Sequence, residues 1–347
     1  MQQTSRTGAN GREIELFSTC VQSRDEAPAR YLERVVETAR WSDDAGYRGM
    51  LVYTDNGLID PWLISQVVLQ HTERLCPLVA VQPVYMHPYA AAKMVSSLAF
   101  LHGRRIYLNM VAGGFRNDLR ALGDETPHDD RYDRVVEYTL IVKRLLEGTE
   151  KVSFEGDYYR VKNLSLTPPL PPELFPGILI SGSSDAGMRA ADAISATRVK
   201  YPQPPSEEAL MRVNGSGPAG IRVGVITRET AEAAWATAHD RFPEDRQGQL
   251  THKLAMRVSD SSWHKQLSHL GEQPVSDANP YWLVPFENYK TFCPYLVGSY
   301  ERVAEELTRY MSLGFGTFIL DVPPSAEELQ HTAVAFERAA GRSELEA

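Results

Sequence analysis

Residues 177–194 read GILISGSSDAGMRAADAI, and two patterns meet inside them. An apolar run, Gly177 to Ile180, enters the stretch, and an Ala-rich helical pattern, Met188 to Ile194, leaves it. A strand that feeds straight into a helix is the unit from which parallel sheets are built, so the fold turns on whether this unit recurs. The corner between the two also has chemical content. A helix start exposes unpaired N–H groups and the positive end of a dipole. Gly182 lets the backbone approach a ligand closely, and Ser183 and Ser184 add hydroxyls, a combination that suits a phosphate. Plain N-capping by Ser184 or Asp185 accounts for the same residues, and Asp185 repels a phosphate unless it points away.

The unit does recur. Strand-like runs at Ile14–Cys20, Met50–Thr54, Leu78–Gln82, Ile106–Val111, Ile178–Ser181, Thr197–Tyr201, Ile221–Thr227 and Thr317–Val322 alternate with amphipathic stretches. The helical periodicities cover Arg30–Ala45, Pro61–His71, Pro88–Leu101, Asp130–Glu147 and Asp185–Ile194, then run onward from Glu229 and from Ala326 to Ala339. Asp60 is placed as an N-cap with Pro61 at the first helical position. Phe154–Val161 reads as a small hairpin and Pro168–Pro176 as a connector. Eight strand–helix units predict a (β/α)8 TIM barrel, with any active site at the C-terminal ends of the strands. A doubly wound open sheet is the rival, and the lack of GxGxxG after the first strand counts against its dinucleotide-binding form. Residues 244–294 break the alternation and read as an insertion.

A length of 347 residues fits one α/β barrel, set at 13–341 because the first twelve residues and the tail from Arg342 look frayed. A formal net charge of -9 argues against a nucleic-acid groove. Cys20, Cys76 and Cys293 lie far apart without a CxxC or Cys/His cluster, so neither a metal site nor a disulfide framework is expected and a reduced, cytoplasmic setting fits. The polar N-terminus lacks the apolar core of a secretory signal. No apolar run approaches the ~20 residues that span a bilayer.

Other stretches carry possible chemistry. Asn109 to Asp118 (NMVAGGFRND) ends the fourth strand with an amide and a Gly pair, which suits either a flat polar ring or a plain βα turn. Arg131 and Tyr132, in HDDRY, can reach an anion or belong to a solvated helix face. The polar loop YTDNGLID, from Tyr53 to Asp60, follows the second strand. His87 follows the third, where a structural role outweighs a catalytic one. Arg222 puts a charge inside an apolar strand and needs a partner, either Glu229 or an external anion. No Ser-His-Asp order and no paired carboxylates stand out, so a cofactor is expected to carry the chemistry.

Seven stretches in order then resemble one family, the bacterial luciferase-like, flavin-dependent monooxygenases, in particular their alkanesulfonate monooxygenase branch. They are GYRGMLVYTDNGLIDPW, LVAVQPVYMHPYAAAKMVSSLAFLHGRRIYLNMVAGG, HDDRYDRVVEYTLIVKRLLEG, FEGDYYRVKNLSLTPPLPP, ILISGSSDAGMRAADAISATRVKYPQPP, IRVGVITRETAEAAW and YLVGSYERVAEELTRYMSLGFGTFIL. The resemblance implies a (β/α)8 barrel that takes reduced FMN (FMNH2) from a separate NAD(P)H-dependent flavin reductase and uses O2 through a flavin C4a-(hydro)peroxide to oxygenate a small metabolite. It places the FMN phosphate at Gly182, Ser183 and Ser184, with Ser181, Arg131 and Tyr132 beside them. It places the flavin ring against Asn109, Val111, Ala112 and Gly113 and against Ala80 to Gln82. It also implies a homodimer or homotetramer.

The departures fall on the substrate half. The branch has an Arg-x-His pattern on strand seven, where this chain reads Arg222-Val223-Gly224. Its Gly-Tyr-Pro run after the last strand is Val322-Pro323-Pro324 here, its loop Cys falls near Leu58, and its lid Arg has Lys290 as the nearest cation. The segment 244–295 is expected to act as a mobile lid. Arg222, Lys290, Asn109 and Cys20 are the candidate catalytic or substrate-contacting residues. The expected substrate is anionic or heteroatom-containing; alkanesulfonate itself, F420-dependent hydride transfer and a non-catalytic flavin-binding protein are the alternatives.

Overall fold

The computed structural model describes residues 6–7, 13–210, 217–258 and 279–345, and these pack as two compact units. The chain opens with β1 (Arg6–Thr7) and β2 (Glu13–Thr19), which pair antiparallel. Both belong to the unit that also holds Asp44–Arg48 and the chain from Val199 onward, the terminal unit. Cys20–Asp43 and Gly49–Arg198 form the other, the middle unit.

In the middle unit α1 (Pro28–Asp44) precedes β3 (Gly49–Val52), α2 (Pro61–His71), β4 (Cys76–Val81), α3 (Pro88–His102) and β5 (Tyr107–Met110). Then come α4 (Arg116–Ala121), α5 (His128–Glu147), the hairpin β6 (Val152–Glu155) and β7 (Arg160–Leu164), β8 (Ile178–Ser181) and α6 (Asp185–Ile194). β3, β4, β5 and β8 run parallel side by side, with Leu51 opposite Leu78, Val79 opposite Leu108 and Asn109 opposite Leu179. Every residue of β3 and β5 is buried. Strands covered on both faces lose the polar/apolar alternation and read as plain apolar runs, which is why the sequence located them.

Local chemistry sets the helix ends. The Asp60 carboxylate accepts from the backbone N–H of Trp62 at 2.9 Å, with Pro61 opening α2. His87 caps α3 by accepting from the Tyr89 N–H at 3.2 Å, a structural task. α5 buries Tyr132, Val135, Tyr138, Thr139, Val142 and Leu146, a stripe at spacings of three and four that packs against α3 and α6. The hairpin is longer than the sequence reading gave. Its turn is held by Glu137 of α5, whose carboxylate accepts the N–H groups of Asp157, Tyr158 and Tyr159 at 2.8, 2.9 and 3.1 Å.

Ahead of α5 the Asp124 carboxylate, 7% exposed, pairs with Arg134 at 2.6 Å and accepts from Thr126. Burial alone would raise this carboxyl; the hydrogen bonds from Arg134 and Thr126 outweigh it and hold it at about 2, against an ordinary 3.8. A depressed folded-state pKa contributes stability that is full above the ordinary value and is lost as pH falls toward about 2. Asp124→Asn is therefore expected to cost about 2 kcal/mol at neutral pH and to flatten the stability curve across that acid window. Urea midpoints measured against pH check this, and parallel curves for the two proteins refute it.

The chain crosses between units at β9 (Thr197–Lys200). The terminal unit then adds α7 (Pro205–Leu210), β10 (Ala219–Arg228), α8 (Ala231–Arg241) and α9 (Arg246–Val258). It continues with β11 (Tyr281–Trp282), the short helix Val284–Glu287, β12 (Tyr295–Ser299), the helix Tyr300–Ser312, β13 (Phe315–Leu320) and the helix Ala326–Leu345. β13 lies between β2 and β10, parallel to both. The ten-residue β10 serves two ladders. Its first half pairs with β13, and residues 224–228 pair with β12. Trp282, Tyr295 and Val297 pack with Ile226, Ala234 and Ala238.

All eight expected strands are present. β12 and the helix Tyr300–Ser312 form a further parallel strand–helix unit that the eight-unit reading left out. Ser299 is both the last residue of β12 and the N-cap of that helix, accepting from the Arg302 N–H at 3.2 Å, so no Gly or Pro separates strand from helix. Within the expected lid, residues 259–278 lie outside the described residues. The described part is pinned by Asn288, 1% exposed, which donates to the Pro243 carbonyl at 2.9 Å and accepts from the Gln249 side chain at 3.2 Å.

Candidate active site

In the middle unit the end of β8 and the start of α6 form the corner quoted first. The Ser184 hydroxyl caps α6, accepting from the Gly187 N–H at 3.2 Å, and Asp185 faces solvent. The carboxylate that would oppose an anion is thus turned outward. Tyr132 of α5, 7% exposed, donates to the Ser181 carbonyl at 3.4 Å, with His128 edge-on to its ring at 5.3 Å. A Cβ at Gly182 would stand 2.2 Å from the Tyr132 hydroxyl, and one at Gly187 would stand 3.3 Å from its ring. Both glycines are therefore what lets the phenol lie against the corner. Burial pushes the Tyr132 pKa up, against the hydrogen bond with Ser184, so the phenol keeps its proton at neutral pH.

The Ser181 hydroxyl donates to the Asn109 side-chain oxygen at 3.0 Å, which ties the ends of β5 and β8 together. This holds the Asn109 carboxamide in one orientation at the strand end. Ala80 and Gln82, both buried, end β4 or follow it, and the Val111 N–H donates to the Val81 carbonyl at 3.0 Å. Ala112 is buried, and Gly113 turns the chain with φ 94° over Leu119. The Arg131 guanidinium is buried and donates from Nη1 to the Thr126 carbonyl at 3.1 Å. Cys20 is 1% exposed, and burial pushes its thiol up to about 12, so at neutral pH it is not a thiolate. In the loop after β3, Asn56 accepts from the Tyr85 hydroxyl at 2.6 Å and donates to the Asp118 carbonyl at 2.9 Å.

The terminal unit gathers its own polar cluster where β13 ends. Arg222 stands opposite Ile319 in the β10–β13 register, and its guanidinium lies 3.7 Å from the Asp321 carboxylate. Arg222 donates from Nη1 to the Tyr201 hydroxyl at 2.9 Å and sits 5.6 Å from that ring. The other Asp321 oxygen accepts from Thr291 at 2.5 Å and from Tyr295 at 2.8 Å. Burial drives the Tyr201 and Tyr295 phenols well up, so both remain donors. The partner of Arg222 is thus Asp321 rather than Glu229, which is exposed. Lys290 pairs with Asp245 at 2.9 Å and is 54% exposed. Asp321, Tyr201, Thr291 and Tyr295 escaped the sequence reading. The signal available was an Asp closing the apolar run TFILD, the counterpart of the Arg in IRVGVIT. Among the described residues no group of three His, Cys, Asp or Glu gathers as a metal site, and no helix is long and apolar enough to cross a membrane.

Parallel strand–helix units, with polar residues gathered at the strand ends, are the arrangement of the α/β barrel enzymes. The family model described as luciferase-like monooxygenase matches residues 14–317, and the chain belongs to that family: it is a flavin-dependent monooxygenase with a (β/α)8 barrel fold. It is 38% identical over 311 residues to the 4-(gamma-L-glutamylamino)butanoyl-[BtrI acyl-carrier protein] monooxygenase BtrO of Niallia circulans, covering 87% of this chain and 89% of that one. Its fold is similar to that of the EDTA monooxygenase EmoA from Chelativorans sp. BNC1, with a TM-score of 0.74 at 16% identity over 97% of this chain and 94% of that one. It is also similar to DmoA from Hyphomicrobium sulfonivorans, with a TM-score of 0.74 at 19% identity, over 95% and 89% of the two chains.

Proposed function

We propose that residues 13–341 are the oxygenase component of a two-component system. Reduced FMN comes from an NAD(P)H-dependent flavin reductase, O2 is the co-substrate, and the substrate is an acyl group tethered to an acyl-carrier protein. The observation that carries the cofactor assignment is the cradle of Gly182 and Gly187 against Tyr132, which a single added Cβ would fill. In this reading Ser183, Ser184 and the first N–H groups of α6 hold the phosphate, with Tyr132 and Arg131 beside it. Ala80, Gln82, Asn109, Val111, Ala112 and Gly113 line the ring. Bound reduced FMN supplies the electrons with which one atom of O2 enters the substrate. Arg222 orients the substrate through its guanidinium.

The substrate assignment is supported by the 38% identical relative, whose name specifies a carrier-bound acyl group. The replacement of the alkanesulfonate-type residues at Gly224 and Val322–Pro324 points the same way. Leu63 of α2 and Phe100 and Leu101 of α3 remain exposed and offer a homo-oligomer its contact surface.

The test is anaerobic titration with reduced FMN, followed by addition of O2 and an acyl-carrier thioester. Saturable binding and the gain of one oxygen atom by the acyl group, read by intact mass, are expected. The double variant Ser183→Ala/Tyr132→Phe should bind reduced FMN at least about tenfold more weakly. Unchanged affinity would remove the phosphate assignment, and preference for deazaflavin F420 without need of O2 would remove the oxygenase reading.

A further inference from the structure

The charges on Arg222 and Lys290 invite the view that this enzyme grips an anionic head group. The geometry of the terminal unit points elsewhere. Arg222 is 6% exposed and faces a carboxylate of its own chain at 3.7 Å. That carboxylate is itself fixed, because one of its oxygens takes hydrogen bonds from both Thr291 and Tyr295 while the other faces the guanidinium. Its donors come from β12 and the turn before it, so Asp321 is held by groups other than Arg222 itself. Gly224 makes the arrangement possible: a Cβ there would stand 2.3 Å from the Tyr295 ring. Lys290, the second candidate cation, is likewise paired, with Asp245 at 2.9 Å.

A buried guanidinium that already has a fixed counter-charge gains little Coulomb energy from a second anion, which must also be desolvated and placed near the first. The same guanidinium remains a good donor to a neutral oxygen. We propose that Asp321, held by Tyr295 and Thr291, is a positioning and specificity residue that tunes Arg222 to a neutral carbonyl of the substrate and against sulfonate or carboxylate head groups. This rests on the reading of Arg222 as a substrate-orienting residue and adds the class of group it receives. A carrier-tethered acyl group has such a carbonyl in its thioester and has no free carboxylate at that end.

The experiment is calorimetric titration of the full chain, loaded with FMN, with ethanesulfonate as the probe. Wild type and Arg222→Gln should bind it equally weakly. Asp321→Asn, which removes the counter-charge, should gain about tenfold or more in affinity, and adding Arg222→Gln to that variant should abolish the gain. With the acyl-carrier substrate, Asp321→Asn should lower kcat more than it raises KM, because it disturbs the orientation of Arg222 rather than the carrier contact. A merely structural role would produce no Arg222-dependent gain in anion affinity. Wild-type binding of ethanesulfonate that is lost in Arg222→Gln overturns the proposal, and so does a folded Asp321→Asn without the gain. Where Asp321→Asn fails to fold, Asp321→Ser carries the same reading, and a folded Asp321→Ser without an Arg222-dependent gain overturns the proposal. The anion titrations use no acyl carrier, so inactivity toward that substrate would overturn the proposed function and leave this result separately readable.

Discussion

Gly224→Ala is expected to destabilise the terminal unit by about 3 kcal/mol, the upper part of the range for overpacking a tight core. The added methyl would fall 2.3–2.5 Å from three atoms of the Tyr295 ring. That ring is 1% exposed, packs in a buried cluster with Trp282 and Ile226, and is tethered at its far end through the hydroxyl to Asp321. It has no direction in which to retreat without breaking that hydrogen bond. Backbone relief is also closed off, since Gly224 is paired in register with Tyr295 itself. Urea unfolding measures the effect. The double variant Gly224→Ala/Tyr295→Ala should lose less than the sum of the single changes, because the two sites couple through one contact. Additive losses, or a Gly224→Ala protein as stable as wild type, would show that the ring moves freely.

Gly182→Ala is expected to abolish measurable FMN binding while leaving the chain folded. The position has φ 156°, at the edge of the region that side chains avoid, and its Cβ would meet the Tyr132 hydroxyl at 2.2 Å and the ring at 3.1 Å. The phenol would be driven from the corner, taking with it the bond to Ser181 and crowding the space where a phosphate would lie. A loss of more than about a hundredfold follows if two charge-assisted hydrogen bonds go together. Adding Tyr132→Phe removes the atom in closest contact, so the double variant should regain stability without regaining FMN. Titration beside a thermal melt separates the two quantities. FMN affinity within a few-fold of wild type in Gly182→Ala would place the cofactor elsewhere.

The parts of this enzyme legible in the sequence are those governed by neighbours along the chain. A doubly covered strand is an apolar run wherever it occurs, so Met50–Val52 and Ile178–Ile180 announced themselves. The Ser184 cap of α6 was legible for a similar reason, since capping depends on a few consecutive residues. What stayed hidden was set by register. Arg222 meets Asp321 because Arg222 stands opposite Ile319 across the β10–β13 ladder. Tyr295 reaches Asp321 because a third strand, β12, runs along the upper half of the same β10. Nothing in the local pattern of IRVGVIT tells which distant carboxylate answers its arginine. β12 itself was overlooked because Ser299 ends the strand and caps the helix at once, leaving no break to mark the unit.

The turn at Asp157–Tyr159 presents three successive backbone N–H groups to a single carboxylate, that of Glu137. By its donors it is a competent anion receptor, of the kind proposed for the corner at the start of α6. It already has a tenant. A side chain rooted on the adjoining helix is present at an effective concentration on the order of millimolar or above, and it cannot diffuse away. Free phosphate in solution must compete with that concentration for the turn, whereas Asp185, next to Ser184, is exposed. The turn is therefore closed to a second anion by the chain's own carboxylate, whatever the corner at the start of α6 receives.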